Sequence, residues 1–172
     1  AAPGQWTASE MSKAVYGCFP FIETSDPLVM PVSKSFAQRA IVAAALADGT
    51  SRLHGYTPCG DNEAALQVAR NLGAEVSVDG NMVTIKGISA SLGGLKQLLS
   101  ADGIPSQDEE GTPVLHVGES GLLTRMMIPI MSQIGTEAVK FTGEKTLLGR
   151  PLTGAKEIMD AFEAKIADQA GN

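Results

Sequence analysis

The sequence predicts an α/β fold of the α+β type, built from a duplicated supersecondary unit. Segments with apolar residues at helical spacing alternate with short segments that are rich in β-branched residues. The order of these segments then recurs at a fixed distance along the chain. Arg39 recurs as Arg125, and the Gly-Thr pair at 49–50 recurs at 135–136, in both cases 86 residues later. A period of this length is typical of a repeated supersecondary unit.

The first copy begins with an extended segment at 14–32, and a helix is predicted over 35–47. The Asp-Gly pair at 48–49 ends this helix, and the strand "TSRLHGY" follows. Asp61 is expected to cap a second helix, "NEAALQVARNL". The stretches "AEVSV" and "MVTIKG" predict a hairpin around an Asp-Gly turn. The apolar side of the first helix is expected to consist of Phe36, Ala40, Ile41, Ala44 and Ala45.

The second copy repeats this order after a helix predicted at about 91–100 and a polar loop. The strand "VLHV" leads into the helix "ESGLLTRMMIPIMSQI", and the strand "TEAVKFTG" follows. A last helix, "RPLTGAKEIMDAFEA", would carry Pro151 in its first turn, where a missing N–H group has no consequence. Met126, Met127 and Met131 are expected in the core or in an interface rather than in a cofactor site.

Composition argues against several classes of function. The net charge of −6 disfavours a nucleic-acid partner. No apolar run approaches the roughly 20 residues of a membrane span. Residues 1–13 lack the pattern of a secretory signal and are expected to be a leader or a disordered terminus. Cys18 and Cys59 have no paired spacing, which indicates free thiols and a cytoplasmic location. Because no metal-ligand pattern is visible, neither a metal nor a cofactor is expected.

Hydroxyls and cations are grouped at the start of the first predicted helix. Ser33, Lys34 and Ser35 precede or open it, and Arg39 follows one turn later. The first N–H groups of a helix lack internal partners and carry partial positive charge, so these side chains would complete an anion site. Alternatively, Ser35 is a plain N-cap and the cations form a solvated surface.

Two further stretches offer similar chemistry. In "VGESGLLTR", Gly121 would let the backbone approach a ligand, and Ser120 offers a hydroxyl beside Glu119. In "GEKTLLGRP", Arg150 stands immediately before a helix start. The alternatives are an ordinary strand-to-helix turn, an exposed arginine, and a simple cap at Asp61. Two such helix starts in one chain predict a small ligand with more than one anionic group.

Taken in order, four stretches resemble one enzyme family. They are "PVSKSFAQRAIVAAALADGTSRL", "CGDNEAALQVARNLGAEV", "VGESGLLTRMM" and "FTGEKTLLGRP". Over about residues 28–166 the chain is similar to the N-terminal half of the 5-enolpyruvylshikimate-3-phosphate synthases, also called 3-phosphoshikimate 1-carboxyvinyltransferases. The resemblance implies a shikimate-pathway transferase that moves the enolpyruvyl group of phosphoenolpyruvate to shikimate-3-phosphate without a cofactor. It also implies repeated βαβαββ units of the enolpyruvate transferase fold.

The resemblance also assigns roles to individual residues. Lys34 would contact both substrates and is the catalytic candidate. Ser35 and Arg39 would hold shikimate-3-phosphate. Gly121 would lie against phosphoenolpyruvate, and Arg150 would clamp the anionic group of phosphoenolpyruvate.

Other positions match the family less closely. Asp61 matches an acidic residue near the hinge side of the substrate cleft, and Arg125 matches an arginine with a mainly structural role. Glu119 stands where the family usually has asparagine, and Met126 stands where most members have proline. Both departures flank the phosphoenolpyruvate site and would change its affinity for phosphoenolpyruvate or for the inhibitor glyphosate. Glu119 and Ser120 are therefore further candidates for substrate contact.

The resemblance further implies that the chain is part of a larger enzyme. Residues 14–172 would form a partial N-terminal domain, with one full unit at about 28–88 and an incomplete second unit at about 89–172. In the family the active site lies between two domains, and the acid–base carboxylate comes from the later one. We therefore expect this chain to be inactive without the missing C-terminal domain, and to bind its substrates with roughly millimolar affinity at most.

Two alternatives stay open from the sequence. One is a stand-alone anion-binding or regulatory domain of the same fold. The other is a fragment of the UDP-N-acetylglucosamine enolpyruvyl transferase. That enzyme carries a Lys-Asn pair where this chain has Lys34 and Ser35, and neither cysteine lies in a context that matches its reactive loop cysteine.

Overall fold

Four α-helices and five β-strands form the described part of the chain, which comprises residues 32–88, 108–134, 138–152 and 154–167 of a computed structural model. The predicted terminus at 1–13, the extended segment before Val32 and the helix near 91–100 lie outside the described residues. The mixture of helices and strands agrees with the predicted α/β class. In chain order the elements are α1 (Lys34–Leu46), β1 (Thr50–His54), α2 (Gly60–Asn71), β2 (Glu75–Asp79), β3 (Met82–Lys86), β4 (Val114–His116), α3 (Gly121–Ile134), β5 (Lys140–Thr142), a 3-10 helix (Lys145–Gly149) and α4 (Ala155–Ala161).

Helix α1 begins one residue earlier than predicted because Ser33 caps it. The Ser33 hydroxyl accepts a hydrogen bond from the N–H of Phe36 at 3.4 Å, so Ser33 and not Ser35 is the N-cap. The predicted apolar side was wrong at Phe36, which is 69% exposed. Phe36 lies five residues before the fully buried Ile41, which places it about 140° around the helix. The residues that are buried are Ala37, Gln38, Ile41, Val42, Ala44 and Ala45.

Helix α2 also begins earlier than predicted. It starts at Gly60, and Cys59 occupies the N-cap position without a side-chain hydrogen bond to the helix. The prediction that Asp61 caps this helix was therefore wrong, because Asp61 lies inside the first turn. Its carboxylate forms an ion pair with Lys34 of α1 instead.

Strands β2 and β3 form the predicted hairpin, and β1 pairs with the other edge of β3. All neighbours in this sheet are antiparallel. Gly80 lies in the turn with φ 57°, a conformation that glycine adopts without strain. Val83 and Ile85 of the central strand are fully buried and join the core formed with α1 and α2. Alternate residues of β3 therefore hold the sheet against the two helices.

The second copy contains a β–α–β crossover. Strands β4 and β5 are parallel, with His116 opposite Thr142, and α3 connects them. The N-terminus of α3 consequently lies just beyond the carboxyl end of β4. In α/β folds this is the usual position for a ligand.

The two copies share a local interaction that supports the predicted duplication. Arg39 Nη1 donates a hydrogen bond to the carbonyl of Ser35 at 3.0 Å, and Arg125 Nη1 donates one to the carbonyl of Gly121, also at 3.0 Å. Donors and acceptors are separated by the same 86 residues along the chain. The two arginines thus make the same contact in the first turns of α1 and α3.

The last helix is shorter than predicted. Residues Lys145–Gly149 form a 3-10 helix, and α4 begins only at Ala155. Gly154 has φ 77°, and a left-handed residue does not continue a right-handed helix. The prediction that Pro151 lies in a first helical turn was therefore wrong.

One apolar core joins the two copies. Met127 and Met131 are buried in it and Met126 packs against it, which confirms their predicted structural role. Within the described ranges, no helix is both long enough and apolar enough to cross a bilayer. The largest fully buried residues of the core include Ile41, Leu66, Ile85, Leu115, Leu123 and Met127.

Candidate functional site

An open cleft of about 800 Å³ lies where three helices begin. Lys34 and Ser35 open α1, Gly60 and Asp61 open α2, and Gly121 opens α3. Each helix start carries unpaired N–H groups and partial positive charge. The sequence predicted two converging helix starts, and the structure adds that of α2. Three such ends around one space favour a small anionic ligand.

Seven of the eight residues predicted for the site line this cleft. Arg39 does not line it, because its guanidinium turns back along α1 to the carbonyl of Ser35. A contact between Arg39 and shikimate-3-phosphate stays a prediction. The seven lining residues are Lys34, Ser35, Asp61, Glu119, Ser120, Gly121 and Arg150.

Lys34 is held at the cleft by Asp61. The Lys34 Nζ atom lies 2.9 Å from Asp61 Oδ2. The hydrogen bond with Asp61 raises the pKa of Lys34 above its ordinary value of 10.5, while Arg150 opposes this rise. Lys34 and Arg150 both line the cleft. The raised pKa keeps Lys34 protonated, and its side chain is 65% exposed, so a ligand can reach the ammonium group beside Asp61.

Arg150 lies over the backbone at the start of α3. A Cβ atom added to Gly121 would lie 3.4 Å from Arg150 Nη1 and 2.8 Å from Arg125 Nη1, so only glycine lets both guanidinium groups approach this closely. Arg125 is occupied by the carbonyls of Gly121 and Pro151, at 3.0 and 3.2 Å. Among the described residues, no carboxylate forms an ion pair with Arg150. Its charge therefore remains available to an anion.

Glu119 is paired rather than free. Its Oε1 atom lies 3.0 Å from Lys145 Nζ, and its Oε2 atom accepts a hydrogen bond from the Thr146 hydroxyl at 3.1 Å. The hydrogen bond from Lys145 lowers the pKa of the Glu119 carboxyl below its ordinary value of 4.5. The sequence analysis missed Lys145 and Thr146, which are 26 and 27 residues from Glu119 along the chain. No local sequence pattern predicts a contact between residues that are this far apart along the chain.

We expect the pKa of the Glu119 carboxyl to lie below 4.5 in the chain and to rise toward this ordinary value in a Lys145→Gln variant, in which only the hydrogen bonds from Thr146 still lower it. Because folding lowers this pKa, the pair stabilises the fold above pH 4.5 and loses this contribution as the pH falls through the lowered pKa. Carbon-13 NMR of the side-chain carboxyl measures both values. The Lys140→Gln control removes a cation that faces Asp108 at 3.6 Å and should leave Glu119 unchanged. An identical Glu119 titration with and without Lys145 would contradict the pairing.

Ser120 connects α3 to α1 through a buried glutamine. The Ser120 hydroxyl accepts a hydrogen bond from the N–H of Leu123 at 3.0 Å, which caps α3, and donates one to Gln38 Oε1. Gln38 Nε2 then donates to the carbonyl of Lys34 at 3.2 Å. These contacts engage the Ser120 hydroxyl within the protein, so its contact with a substrate stays a prediction. The sequence analysis missed Gln38, whose only signal is an amide on a buried helix face.

The other end of the cleft is lined by a histidine and a glutamate. His116 Nε2 lies 3.0 Å from Glu144 Oε1, and His116 Nδ1 lies 3.1 Å from the Thr142 hydroxyl. These contacts give His116 a structural role in the lining of the cleft. In the described ranges, no three His, Cys, Asp or Glu side chains are grouped to hold a metal ion.

Three helix starts, Lys34, Arg150 and the buried Gly121 line one cleft of an α/β protein, and this arrangement favours a small anionic ligand. The family model described as EPSP synthase (3-phosphoshikimate 1-carboxyvinyltransferase) matches residues 25–172. The chain belongs to the EPSP synthase family.

Individual relatives agree with this assignment. The chain is 31% identical over 129 residues to the 3-phosphoshikimate 1-carboxyvinyltransferase of Gloeobacter violaceus, covering 74% of this chain and 26% of that protein. It is 30% identical over 140 residues to the 3-phosphoshikimate 1-carboxyvinyltransferase of Persephonella marina. This match covers 81% of this chain and 28% of that protein. A solved EPSP synthase from Acinetobacter baumannii shares the fold, with a TM-score of 0.61 and 24% identity over 84% of this chain and 30% of that one. This likeness confirms the predicted fold. The chain thus spans between a quarter and a third of the length of these relatives.

Proposed function

We propose that this chain provides the anion-binding half of an enolpyruvyl transferase site, which binds phosphoenolpyruvate and shikimate-3-phosphate. The observation that carries the proposal is the convergence of Lys34, Arg150 and three helix N-termini on one cleft. Both ligands are small and carry several negative charges. Membership of the EPSP synthase family supports this choice of ligands over other small anions.

Each side of the cleft would hold a different ligand group. Lys34 stands at the start of α1 beside the half-buried Ser35, where a phosphate could accept hydrogen bonds from the ammonium and the hydroxyl. Arg150 and the backbone at Gly121 would hold the second anion, because an arginine binds a carboxylate or phosphate through two parallel N–H groups. In the proposed reaction, the shikimate hydroxyl adds to phosphoenolpyruvate and phosphate then leaves. The anion clamps would position both reactants for this addition.

The carboxylates that line the cleft are all engaged, which supports a binding role without turnover. Asp61 pairs with Lys34, Glu119 with Lys145, and Glu144 with His116. Glu63 accepts a hydrogen bond from the Tyr56 hydroxyl. A general acid needs a raised pKa, whereas that of Glu119 is lowered. The proton donor and base would therefore come from a second domain, as the limited coverage of the relatives suggests.

The predicted cytoplasmic location stays a prediction.

Titration of the isotope-labelled chain with each ligand tests the proposed function. We expect amide shifts at the starts of α1, α2 and α3, with dissociation constants in roughly the millimolar range. Lys34→Ala should weaken both ligands about tenfold, because it removes a charge-assisted contact. Lys86→Ala is the matched control, since Lys86 is also exposed and also pairs with a carboxylate, that of Glu75, at 2.6 Å.

Several outcomes of this titration would overturn the proposal. One is that neither ligand shifts the amides around the cleft. Another is that Lys34→Ala and Lys86→Ala weaken binding equally, which would indicate a nonspecific charge effect. Measurable product from the chain alone would contradict the proposed need for a second domain.

A further inference from the structure

Thr146 connects Glu119 to Arg150 at the edge of the cleft. The Thr146 hydroxyl donates a hydrogen bond to Glu119 Oε2 at 3.1 Å and accepts one from Arg150 Nη2 at 3.2 Å. A hydroxyl has one proton, so donating it to Glu119 leaves only lone pairs directed at Arg150. Lys145 contacts the other carboxylate oxygen at 3.0 Å. These four side chains form a continuous chain of contacts, all on the wall of the cleft.

We propose that Glu119 and Thr146 are positioning residues that fix the Arg150 guanidinium over Gly121 for a ligand anion, and that Lys145 neutralises Glu119. The inference rests on the proposed function, because Arg150 is the cation that would hold phosphoenolpyruvate. In this inference Glu119 orients Arg150 and does not itself contact the substrate.

The interposed hydroxyl preserves the charge that the ligand needs. A direct ion pair between Glu119 and Arg150 would offer the ligand an arginine already neutralised by a carboxylate. With Thr146 between them, Glu119 orients Arg150 only through a neutral group. The charge of Glu119 is taken up by Lys145 instead. Arg150 is thereby held in one orientation and still carries a free positive charge.

The backbone holds this arrangement in place. The N–H of Glu144 donates to the carbonyl of Gly118 at 2.9 Å, which ties the start of the 3-10 helix to the turn that carries Glu119. Lys145 has φ 45°, a left-handed conformation that is uncommon for a residue other than glycine. This backbone places Lys145 and Thr146 beside the two oxygens of one carboxylate. Such conformations persist where surrounding contacts maintain them.

Removing the Thr146 hydroxyl tests the positioning role. Thr146→Val keeps the shape of the side chain, and we expect it to weaken phosphoenolpyruvate binding about threefold to tenfold. Thr146→Ser should restore binding, because it restores the hydroxyl. Thr84→Val is the matched control, since Thr84 lies on β3 outside the cleft and should leave the affinity unchanged. Equal affinities of wild type and Thr146→Val would overturn the inference.

A pair of charge variants tests the role of Lys145. Lys145→Met exposes the ligand to an uncompensated Glu119 carboxylate, and we expect phosphoenolpyruvate to bind about fivefold more weakly. In the double variant Glu119→Gln/Lys145→Met the repulsion is gone, and binding should return to within about twofold of wild type. If the double variant binds as weakly as Lys145→Met, Lys145 contacts the ligand itself and its neutralising role is wrong.

A measurement without ligand separates this inference from the proposed function. Nitrogen-15 NMR of the Arg150 guanidinium should show slow rotation about Nε–Cζ in the wild-type chain, and fast rotation in Thr146→Val. Fast rotation already in the wild type would overturn the positioning role, even if phosphoenolpyruvate binds. Slow rotation that depends on Thr146, together with no binding of phosphoenolpyruvate, would support the positioning role and refute the proposed function.

Discussion

Replacing Gly87 by alanine is expected to lower the free energy of unfolding by about 3 kcal/mol. Gly87 follows β3 and lies against the end of α1. An added Cβ atom would lie 2.5 Å from the carbonyl oxygen of Ala44, and nearer still to that of Ala47. Both contacts are with backbone atoms, which have no side-chain rotation to relieve the clash. The Gly87 N–H also donates to the carbonyl of Gly49 at 2.9 Å, so the contact between sheet and helix would have to open.

Gly60→Ala provides the matched control for this substitution. A Cβ atom at Gly60, the first residue of α2, would meet no atom within 4 Å. Alanine there should change stability little, or raise it by up to about 1 kcal/mol, because it restricts the unfolded chain. Urea denaturation followed by circular dichroism measures both variants. Equal unfolding free energies for Gly87→Ala and wild type would show that the end of α1 adapts without cost.

Elements set by local patterns were predictable from the sequence. The hairpin around Gly80 and the helices α1, α2 and α3 follow from apolar spacing and turn residues over a few neighbouring positions. The ends of the helices were less predictable, because they depend on which contact a polar residue makes. Asp61 has the chemistry of a cap, yet its carboxylate pairs with Lys34 from another helix. The tertiary ion pair with Lys34 thus outweighs the intrinsic preference of Asp61 for an N-cap position.

The members of the site were predictable where their chemistry is distinctive. The cleft contains both Lys34 and Arg150. Lys34 opens α1 as predicted, whereas Arg150 follows the 3-10 helix and does not immediately precede α4, which begins at Ala155. The residues that orient them were not predictable from local sequence. Gln38 accepts a hydrogen bond from a hydroxyl that is 82 residues away along the chain, and only the tertiary fold brings the two side chains together. Arg39 is a residue whose charge led to a predicted ligand contact. In the structure its side chain instead donates a hydrogen bond within α1.

The predicted duplication allows the two halves of the cleft to be compared position by position. At the repeat spacing of 86 residues, Lys34 corresponds to Ser120 and Ser35 corresponds to Gly121. The start of α1 therefore presents the Lys34 ammonium and the Ser35 hydroxyl, whereas the start of α3 presents the buried Ser120 and Gly121. The cation of the second half, Arg150, comes from beyond β5 instead. The starts of α1 and α3 thus differ in chemistry, in keeping with the proposal that the cleft binds two different anionic ligands.

Gln38→Leu is expected to lower the free energy of unfolding by about 2–3 kcal/mol, because it leaves the Ser120 hydroxyl buried without an acceptor. Gln38 is 1% exposed and Ser120 is 3% exposed, so water does not readily replace the lost partner. Gln133→Leu is the matched control, since Gln133 is an exposed glutamine on α3 and its loss should change stability by at most about 0.5 kcal/mol. Urea denaturation measures both values.

A double-mutant cycle with Ser120→Ala then isolates the bridge between α1 and α3. Ser120→Ala alone should cost about 1–2 kcal/mol, since it removes the cap of α3 as well as the donor to Gln38. The double variant should cost less than the two single changes together, because neither buried group is then left without its partner. Since Gln38 also bonds the carbonyl of Lys34, we expect phosphoenolpyruvate to bind Gln38→Leu at least about threefold more weakly. Strict additivity in the cycle would mean that Gln38 and Ser120 act independently, and would contradict a hydrogen-bonded bridge between the starts of α1 and α3.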